Sequence, residues 1–184
     1  MVKRNLGTRL RKRAERARVT LDVGAAEKLA AYVELLQRWN ERLNLTALTD
    51  NDVGLDRLII EPTIAARHMP KTGSVIDIGS GGGSPAVPLK ILLPDLSLRM
   101  VESKTRKGAF LREVARQLGL RDVEVEVCRY AELLSRPELH ENHDVLTARA
   151  VRIDRKALRN LQAFVRPGGF LGLLRGGGAT DALS

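Results

Sequence analysis

The hydrophobic positions in the first third of the chain recur at the spacing of a helix. Between Ala25 and Leu43 the apolar side chains follow steps of three and four residues and form one stripe: Leu29, Tyr32, Val33, Leu36, Trp39 and Leu43. This period predicts an amphipathic helix with one buried face. A polar, turn-like stretch follows over 44–52, and a second helix is predicted from Leu55 to His68.

After residue 73 the pattern changes to short apolar runs that alternate with helical segments. The runs predict five strands, at 74–79, 96–102, 123–128, 143–149 and 169–174. Helices are predicted at 84–93, 104–118, 130–136 and 154–165. This alternation is typical of an α/β fold with a mainly parallel sheet and right-handed crossovers. We predict a basic N-terminal arm over 1–20, a helical annex over 21–72 and an α/β domain over 73–184.

The charge of the chain is unevenly distributed. Glu15 is the single acid within residues 1–18, which hold eight basic side chains: Lys3, Arg4, Arg9, Arg11, Lys12, Arg13, Arg16 and Arg18. These give the segment +7 of the chain's net +9. Such a segment predicts contact with nucleic acid, and the alternative is a solvated terminus.

Other parts of the composition narrow the class of protein. No apolar run reaches the roughly 18 residues of a membrane span. The single cysteine, Cys128, excludes an internal disulfide and fits a reducing cytoplasm. The three histidines are scattered without metal-ligand spacing, so no metal site is expected.

The main candidate for chemistry is a glycine-rich turn after the first predicted strand. The apolar run over 75–78 is interrupted by Asp77 and ends in glycines at alternate positions: Gly79, Gly81 and Gly83. The second strand ends in Glu102. Glycines let a backbone approach a ligand closely, and an acid after the next strand can accept hydrogen bonds from a ribose. The pair therefore predicts a nucleotide-type cofactor site.

Three kinds of cofactor site compete for this loop. A P-loop is excluded, since it needs a lysine and then serine or threonine where Ser84 and Pro85 stand. A nicotinamide site requires the motif G-x-G-x-x-G, which Gly79, Gly81 and Ser84 match except for the last glycine. A methyl-donor site requires an acidic residue in the strand, followed by the motif G-x-G-x-G. Asp77 and the three glycines match this pattern. The loop alone leaves both a nicotinamide-dependent oxidoreductase and a methyltransferase open.

Several segments, taken in order, resemble one family. They are Trp39-Asn40 with Asn44-Leu45-Thr46, Arg57 to Glu61, Gly79 to Leu89 with Pro85 and Pro88, Glu102-Ser103 through Phe110-Leu111, Cys128-Arg129, Ala148-Arg149-Ala150 and Leu174-Arg175-Gly176. On these segments the chain resembles the glucose-inhibited division protein B family, small-subunit ribosomal RNA guanine-N7 methyltransferases that use S-adenosylmethionine. The prolines after the loop and the W-N…N-L-T segment are far more specific than the glycines.

The resemblance implies a Rossmann-like S-adenosylmethionine-dependent methyltransferase fold with an N-terminal helical annex. It also implies an enzyme whose partner is ribosomal RNA or the small ribosomal subunit. We expect this enzyme to be cytoplasmic and monomeric, without metal or membrane, although an unpaired fifth strand at the sheet edge leaves association open. The family's chain continues for several tens of residues beyond the position of Leu174-Arg175-Gly176, where its last two strands form an antiparallel hairpin. The sequence here ends at Ser184, so we expect this hairpin to be absent. A non-catalytic RNA-binding protein of the same fold is the alternative that this absence leaves open.

The resemblance also assigns roles to single residues. The three glycines and Ser84 would lie against the methionine part of the cofactor, and Glu102 would take the ribose hydroxyls. Asp77 would organise the loop or reach the donor's ammonium, and its alternative is to cap backbone N–H groups. The segment after the third strand, Arg129, Tyr130 and Ala131, would flank the adenine.

The remaining assignments concern arginines. Arg129 and Arg149 would orient the target base or a phosphate, and Arg149 would also touch the cofactor; its alternative is a surface ion pair. Arg175 and the basic arm would hold RNA phosphates. No general base is expected, because guanine N7 carries an in-plane lone pair and no proton.

Overall fold

The computed structural model describes residues 2–47, 51–149 and 154–174, with side chains from Leu6 onward. Lys3 and Arg4 are therefore described by their backbone only. Arg175, one of the predicted RNA contacts, lies outside the described residues.

The first third of the chain is helical. Its elements are α1 (Val2–Arg16), α2 (Val23–Leu43), and a continuous run made of α3 (Asp52–Leu55), a π-helical turn (Asp56–Ile60) and α4 (Glu61–Ala66). α2 starts at Asp22, whose side chain accepts the Ala25 N–H, and ends at Asn44 with a left-handed φ of 47°. The helix predicted over 25–43 is confirmed, and the one predicted over 55–68 is interrupted by the π-helical turn.

The basic N-terminal segment forms a helix, α1, that packs on α2. Leu10 and Ala14 are fully buried, and Leu6 and Ala17 pack against the same cluster. These residues follow helical spacing and give α1 an apolar stripe, while other positions such as Arg11 are exposed. The segment is therefore the first helix of the annex.

The α/β part is built on a five-stranded sheet in the order β3-β2-β1-β4-β5, and every described pairing is parallel. The strands are β1 (Gly73–Ile78), β2 (Leu96–Val101), β3 (Val123–Glu126), β4 (His143–Arg149) and β5 (Val165–Leu174). The helices are α5 (Ala86–Leu92), α6 (Thr105–Gln117), α7 (Tyr130–Leu133) and α8 (Arg155–Gln162). The predicted α/β fold with a mainly parallel sheet is confirmed.

β5 begins four residues before its predicted start at 169. The stretch Pro167-Gly168-Gly169 has the composition of a turn, but it lies in an irregular part of the strand. The register shifts there: His143 pairs with Val165, whereas Val145 pairs with Phe170. A bulge of this kind accommodates glycine within a strand.

Two hydrophobic clusters cover the two faces of the sheet. One joins the annex, α5 and α6 to sheet residues such as Val75 and Val145, and the other lies against Ile76 and Leu146. Side chains alternate along a strand, so Asp77 faces the same side as Val75. The strand acid therefore points toward the annex.

Candidate functional site

The loop after β1 has a backbone that only glycine adopts easily. The Gly79 N–H donates to the Val101 carbonyl at 2.9 Å, which fixes the loop against the end of β2. Gly79, Gly81 and Gly83 have φ values of 73°, 52° and 91°. At Gly83 a Cβ would also lie 2.9 Å from Val87 Cγ2. The alternate glycines are thus required by the turn itself.

Glu102 lies directly after β2, beside this loop, and is 7% exposed. Its Oε2 accepts the Gly81 N–H at 2.9 Å, and its Oε1 accepts the Lys104 N–H at 2.8 Å. A carboxylate has lone pairs beyond these two bonds, so it can still accept hydrogen bonds from a ligand. The backbone bonds hold it in one orientation at the edge of the loop.

Asp77 is buried beneath the loop and 1% exposed. Its Oδ1 accepts the Thr147 hydroxyl at 2.6 Å, and its Oδ2 has no partner among the described residues. Burial raises the pKa of this carboxyl to about 6, against the opposing effects of hydrogen bonding and the Arg149 charge. The alternative role, capping a backbone N–H, has no bond to support it within the described ranges.

Arg149 ends β4 and points into the same region. Its Nη2 donates to Glu61 Oε2 of α4 at 3.0 Å, and its Nε is buried without a partner in the described part of the chain. Burial lowers the pKa of the guanidinium, while Glu61 opposes the shift. The ion pair that sequence reasoning kept as an alternative therefore forms, but its arginine is largely buried, with 16% side-chain exposure.

The annex holds the glycine loop through a tyrosine that sequence reasoning had placed only in the apolar stripe of α2. The Tyr32 hydroxyl donates to the Gly82 carbonyl at 2.6 Å, and the ring is fully buried. Burial raises the pKa of this phenol well above its usual range. Tyr32 therefore remains a neutral donor at physiological pH.

A second contact between the annex and the loop is made at the Leu58 carbonyl. In an α-helix the Leu58 carbonyl would accept the N–H of residue 62, and proline has none. The Ser84 hydroxyl donates to the Leu58 carbonyl at 2.9 Å. Ser84 thus joins the end of the loop to the π-helical turn.

These elements surround a cavity of about 550 Å³ at the carboxyl edge of the sheet. Five of the predicted site residues line it: Gly79, Gly81, Ser84, Glu102 and Arg149. Its other lining residues are Leu45, Thr46, Ala47, Arg57, Leu58, Ser80, Gly82, Ser103 and Lys107. Ligands of open α/β sheets bind at this edge, and the volume is in the range of cofactor pockets.

Not every predicted contact lies in the cavity wall. Gly83 is buried within the turn, and Asp77 lies beneath it. Arg129, Tyr130 and Ala131 follow β3 at the same sheet edge but are not lining residues, and Arg129 and Ala131 are exposed. Their contacts with adenine or with the target base remain predictions.

Sequence reasoning missed the annex residues of the wall. The segment 44–46 was part of the family resemblance but received no role, and the same holds for Arg57. The family motifs that contain these residues were the only sequence signal of their importance. Their position beside the glycine loop could not be predicted from the sequence.

The described residues include no group of three or more His, Cys, Asp or Glu side chains that could hold a metal ion. In the same ranges, no helix is both long enough and apolar enough to cross a membrane.

The cavity suits the cofactor that the family resemblance implies. The three loop glycines leave room for a close approach, Glu102 offers an oriented acceptor, and two buried polar atoms, Asp77 Oδ2 and Arg149 Nε, have no partner among the described residues. These are groups that an amino-acid-like moiety with an ammonium and a carboxylate could satisfy.

Known structures share the fold. Precorrin-6y C5,15-methyltransferase from Geobacter metallireducens matches 70% of this chain and 65% of its own, with a TM-score of 0.53 and 15% identity. Coclaurine N-methyltransferase matches 93% of this chain and 59% of its own, with a TM-score of 0.57 and 15% identity. At these identities the likeness concerns the fold alone.

Curated relatives are more similar in sequence. The ribosomal RNA small subunit methyltransferase G of Roseiflexus sp. is 45% identical over 71% of this chain and 56% of its own length. That of Halorhodospira halophila is 34% identical over 91% of this chain and 77% of its own. The chain thus spans little more than half the length of the first of these relatives. The family model of rRNA small subunit methyltransferase G matches residues 25–184, and the chain belongs to this family.

Proposed function

We propose that the protein is an S-adenosylmethionine-dependent methyltransferase that methylates N7 of a guanine in small-subunit ribosomal RNA. One observation carries the proposal: a cavity at the carboxyl edge of the sheet in which Glu102 is bonded to the glycine loop, in a chain of this family. A nicotinamide-dependent oxidoreductase would use the same loop, but family membership favours the methyl donor.

In this proposal the loop and Glu102 hold the cofactor, which supplies a methyl group on a sulfonium. Glu102 accepts hydrogen bonds from ribose hydroxyls, and the backbone over 79–82 lies against the methionine part. Asp77 and Arg149 offer an acceptor and a donor to its ammonium and carboxylate. The buried Oδ2 of Asp77 has no hydrogen-bond partner among the described residues, so it is the oxygen that would accept from the ammonium.

The target atom needs no deprotonation, because N7 of guanine has a free lone pair in the ring plane. Among the described residues that line the cavity there is neither histidine nor cysteine. The chain's contribution is then to position the base in line with the transferred methyl and to exclude water. Loss of rate on mutation should follow loss of geometry rather than loss of a proton acceptor.

The cations at the cavity have different roles. Arg149 forms an ion pair with Glu61, whereas the side chains of Arg57 and Lys107 form no hydrogen bond or ion pair with another described residue. A free cation beside a purine that becomes cationic is unfavourable, but it suits the phosphates that flank the base. We therefore assign Arg57 and Lys107 to the RNA backbone.

The basic face of α1 provides the proposed outer RNA contact. Arg9 and Arg13 form ion pairs with Asp52 and Asp56, which join α1 to α3 and the π-helical turn. Among the described side chains of this segment, the exposed basic residues that remain available for phosphates are Arg11, Lys12, Arg16 and Arg18. Binding through such cations falls steeply with salt concentration.

The proposal is tested in two steps. Calorimetry with S-adenosylhomocysteine and with NAD should give saturable binding of the first only. Transfer of a tritiated methyl group to small subunits from cells that lack the gene should then label one guanine. Binding of NAD instead, or binding of S-adenosylhomocysteine without labelling of any small-subunit RNA, would overturn it.

A further inference from the structure

A second cavity lies away from the cofactor loop, between the last turns of α2 and the end of α6. It has a volume of about 450 Å³ and is lined by Leu35, Arg38, Trp39, Glu41, Arg42, Leu43 and Gln117. Positions 35, 38, 39, 42 and 43 share one face of α2, because they follow helical spacing. We call this the Trp39 groove.

The Trp39 groove combines an aromatic ring with two arginines and one acid, Glu41. The indole is half-buried and packs on Phe110 with ring centroids 5.6 Å apart and a tilt of 56°. Arg38 and Arg42 are exposed, and neither side chain forms a hydrogen bond or ion pair with another described residue. An aromatic surface beside unpaired arginines is the arrangement that binds an unpaired nucleotide, through base stacking and phosphate contact.

The Trp39 groove is connected to the proposed active site by two elements. Lys107 lines the first cavity and Gln117 the second, and both lie on α6, where these two residues are about 15 Å apart along the helix axis. The Asn40 side chain, next to Trp39, accepts the Thr46 N–H at 2.9 Å, and Thr46 lines the first cavity. One RNA strand could reach both sites by crossing the end of α2.

We propose that the Trp39 groove binds an unpaired nucleotide of the substrate RNA near the target guanine, with its base on the indole and its phosphates on Arg38 and Arg42. This rests on the proposed function, since it assumes an RNA substrate. Guanine N7 faces the deep groove of paired RNA, which side chains do not enter easily. A site that holds an adjacent unpaired nucleotide would keep the target in a single-stranded form.

Trp39 is the only tryptophan of the chain, so its fluorescence reports on this groove alone. We would titrate the full chain with a short single-stranded oligoribonucleotide, in the presence of S-adenosylhomocysteine, and follow quenching of the indole. An abasic oligomer of the same length supplies the phosphates without the bases. We expect saturable quenching by the first and little quenching by the second.

The matched variants are the doubles Arg38→Ala/Arg42→Ala and Arg155→Ala/Arg159→Ala. Both remove two exposed arginines, but the second pair lies on α8, against the other face of the sheet. The groove double should weaken RNA binding roughly tenfold and reduce its salt slope by about 0.7 per lost phosphate contact. The α8 double should bind as the unsubstituted chain does.

Three results would overturn the proposal: equal quenching by the abasic oligomer, equal loss of affinity in both doubles, or quenching by an acidic peptide but not by RNA. Affinity for S-adenosylhomocysteine, measured by calorimetry, should be the same in all variants. If the unsubstituted protein methylates small subunits but one of these three results is found, the Trp39 groove is not an RNA site and the proposed function still holds. Absence of methylation would refute the proposed function instead.

Discussion

At the scale of single residues, the site depends on two buried carboxylates in different surroundings. Both oxygens of Glu102 accept backbone N–H groups, so its position is fixed by the chain itself. Asp77 has one oxygen bonded to Thr147 and another without a partner among the described residues. Glu102 is therefore suited to accept hydrogen bonds from a ligand in one fixed orientation. Asp77 is suited to carry a charge that a bound ligand stabilises.

Glu102→Gln should weaken binding of S-adenosylhomocysteine by tenfold or more. The amide places an N–H₂ group against either the Gly81 or the Lys104 N–H, and it removes a charged acceptor, a kind of bond worth about 1.5–3 kcal/mol. Calorimetry measures the change. Glu27→Gln, on the exposed side of α2, is the matched control and should bind normally; an unchanged affinity in Glu102→Gln would remove Glu102 from the site.

Asp77 should make the stability of the protein depend on pH. Its pKa is about 6 in the fold, above the ordinary value of 3.8, so the native state binds more protons than the unfolded chain between these values. The stability that the group contributes is therefore present at low pH and is lost as pH rises through about 6.

The variant Asp77→Asn isolates this effect, because the amide oxygen can still accept the Thr147 hydroxyl. Relative to the unsubstituted protein, the free energy of unfolding of this variant should increase by up to about 3 kcal/mol as the pH rises from about 4 to about 7. Urea denaturation at several pH values measures the difference. A difference that does not vary with pH would show that Asp77 titrates normally.

At the scale of elements, the helices of the annex support the glycine loop directly. Tyr32 of α2 donates to Gly82, and Ser84 donates to Leu58 of the π-helical turn. π-helical turns occur frequently at functional sites. Here the turn presents Arg57 and Leu58 to the cavity.

Tyr32→Phe removes one of these supports without removing the buried ring. The Gly82 carbonyl loses its donor, at a cost of about 1–2 kcal/mol, and the loop becomes less ordered. We expect the Kd for S-adenosylhomocysteine to rise several-fold and the melting temperature to fall. Ser97→Ala, which removes a hydroxyl donor to Gly73 at the other end of the sheet, should leave the Kd unchanged.

The two faces of α1 should separate stability from RNA binding. Lys12→Ala/Arg16→Ala removes exposed cations and should weaken binding of small-subunit RNA, with a lower salt dependence and unchanged stability. Leu10→Ala, at a fully buried position, should cost about 2–5 kcal/mol of stability. Filter binding over a salt series and urea denaturation measure the two effects; loss of stability in the first variant would contradict the assignment.

Much of the fold could be predicted because strands and helices alternate with clear periods, and the carboxyl ends of parallel strands meet at one edge. The same logic placed Glu102 beside the glycines. The segment of α1 was predicted to be a basic arm on the basis of its charge, although the helical spacing of Leu6, Leu10 and Ala14 indicates a helix with one buried face. The bonds Tyr32–Gly82 and Arg149–Glu61 join residues 50 and 88 positions apart, and no local pattern contains such distances.

At the scale of the whole molecule, the annex and the sheet share one hydrophobic cluster. Residues from α1 and α2 pack in it together with Val75, Met100 and Val145 of the sheet. A cluster that crosses the boundary at residue 72 predicts a single cooperative unfolding transition. Separate transitions for the annex and the sheet, seen by circular dichroism and by Trp39 fluorescence, would contradict this expectation.

The bonds from Tyr32, Leu58 and Glu61 to the loop and to Arg149 have a consequence for truncated forms of the chain. A ligand that binds only the native state slows amide hydrogen exchange wherever the protein must open to release it. Protection by S-adenosylhomocysteine should therefore reach amides of α2 and α4, far in sequence from the glycines. By the same reasoning, a fragment that starts at Gly73 would keep the glycines and Glu102 yet lose the partners that hold them in place.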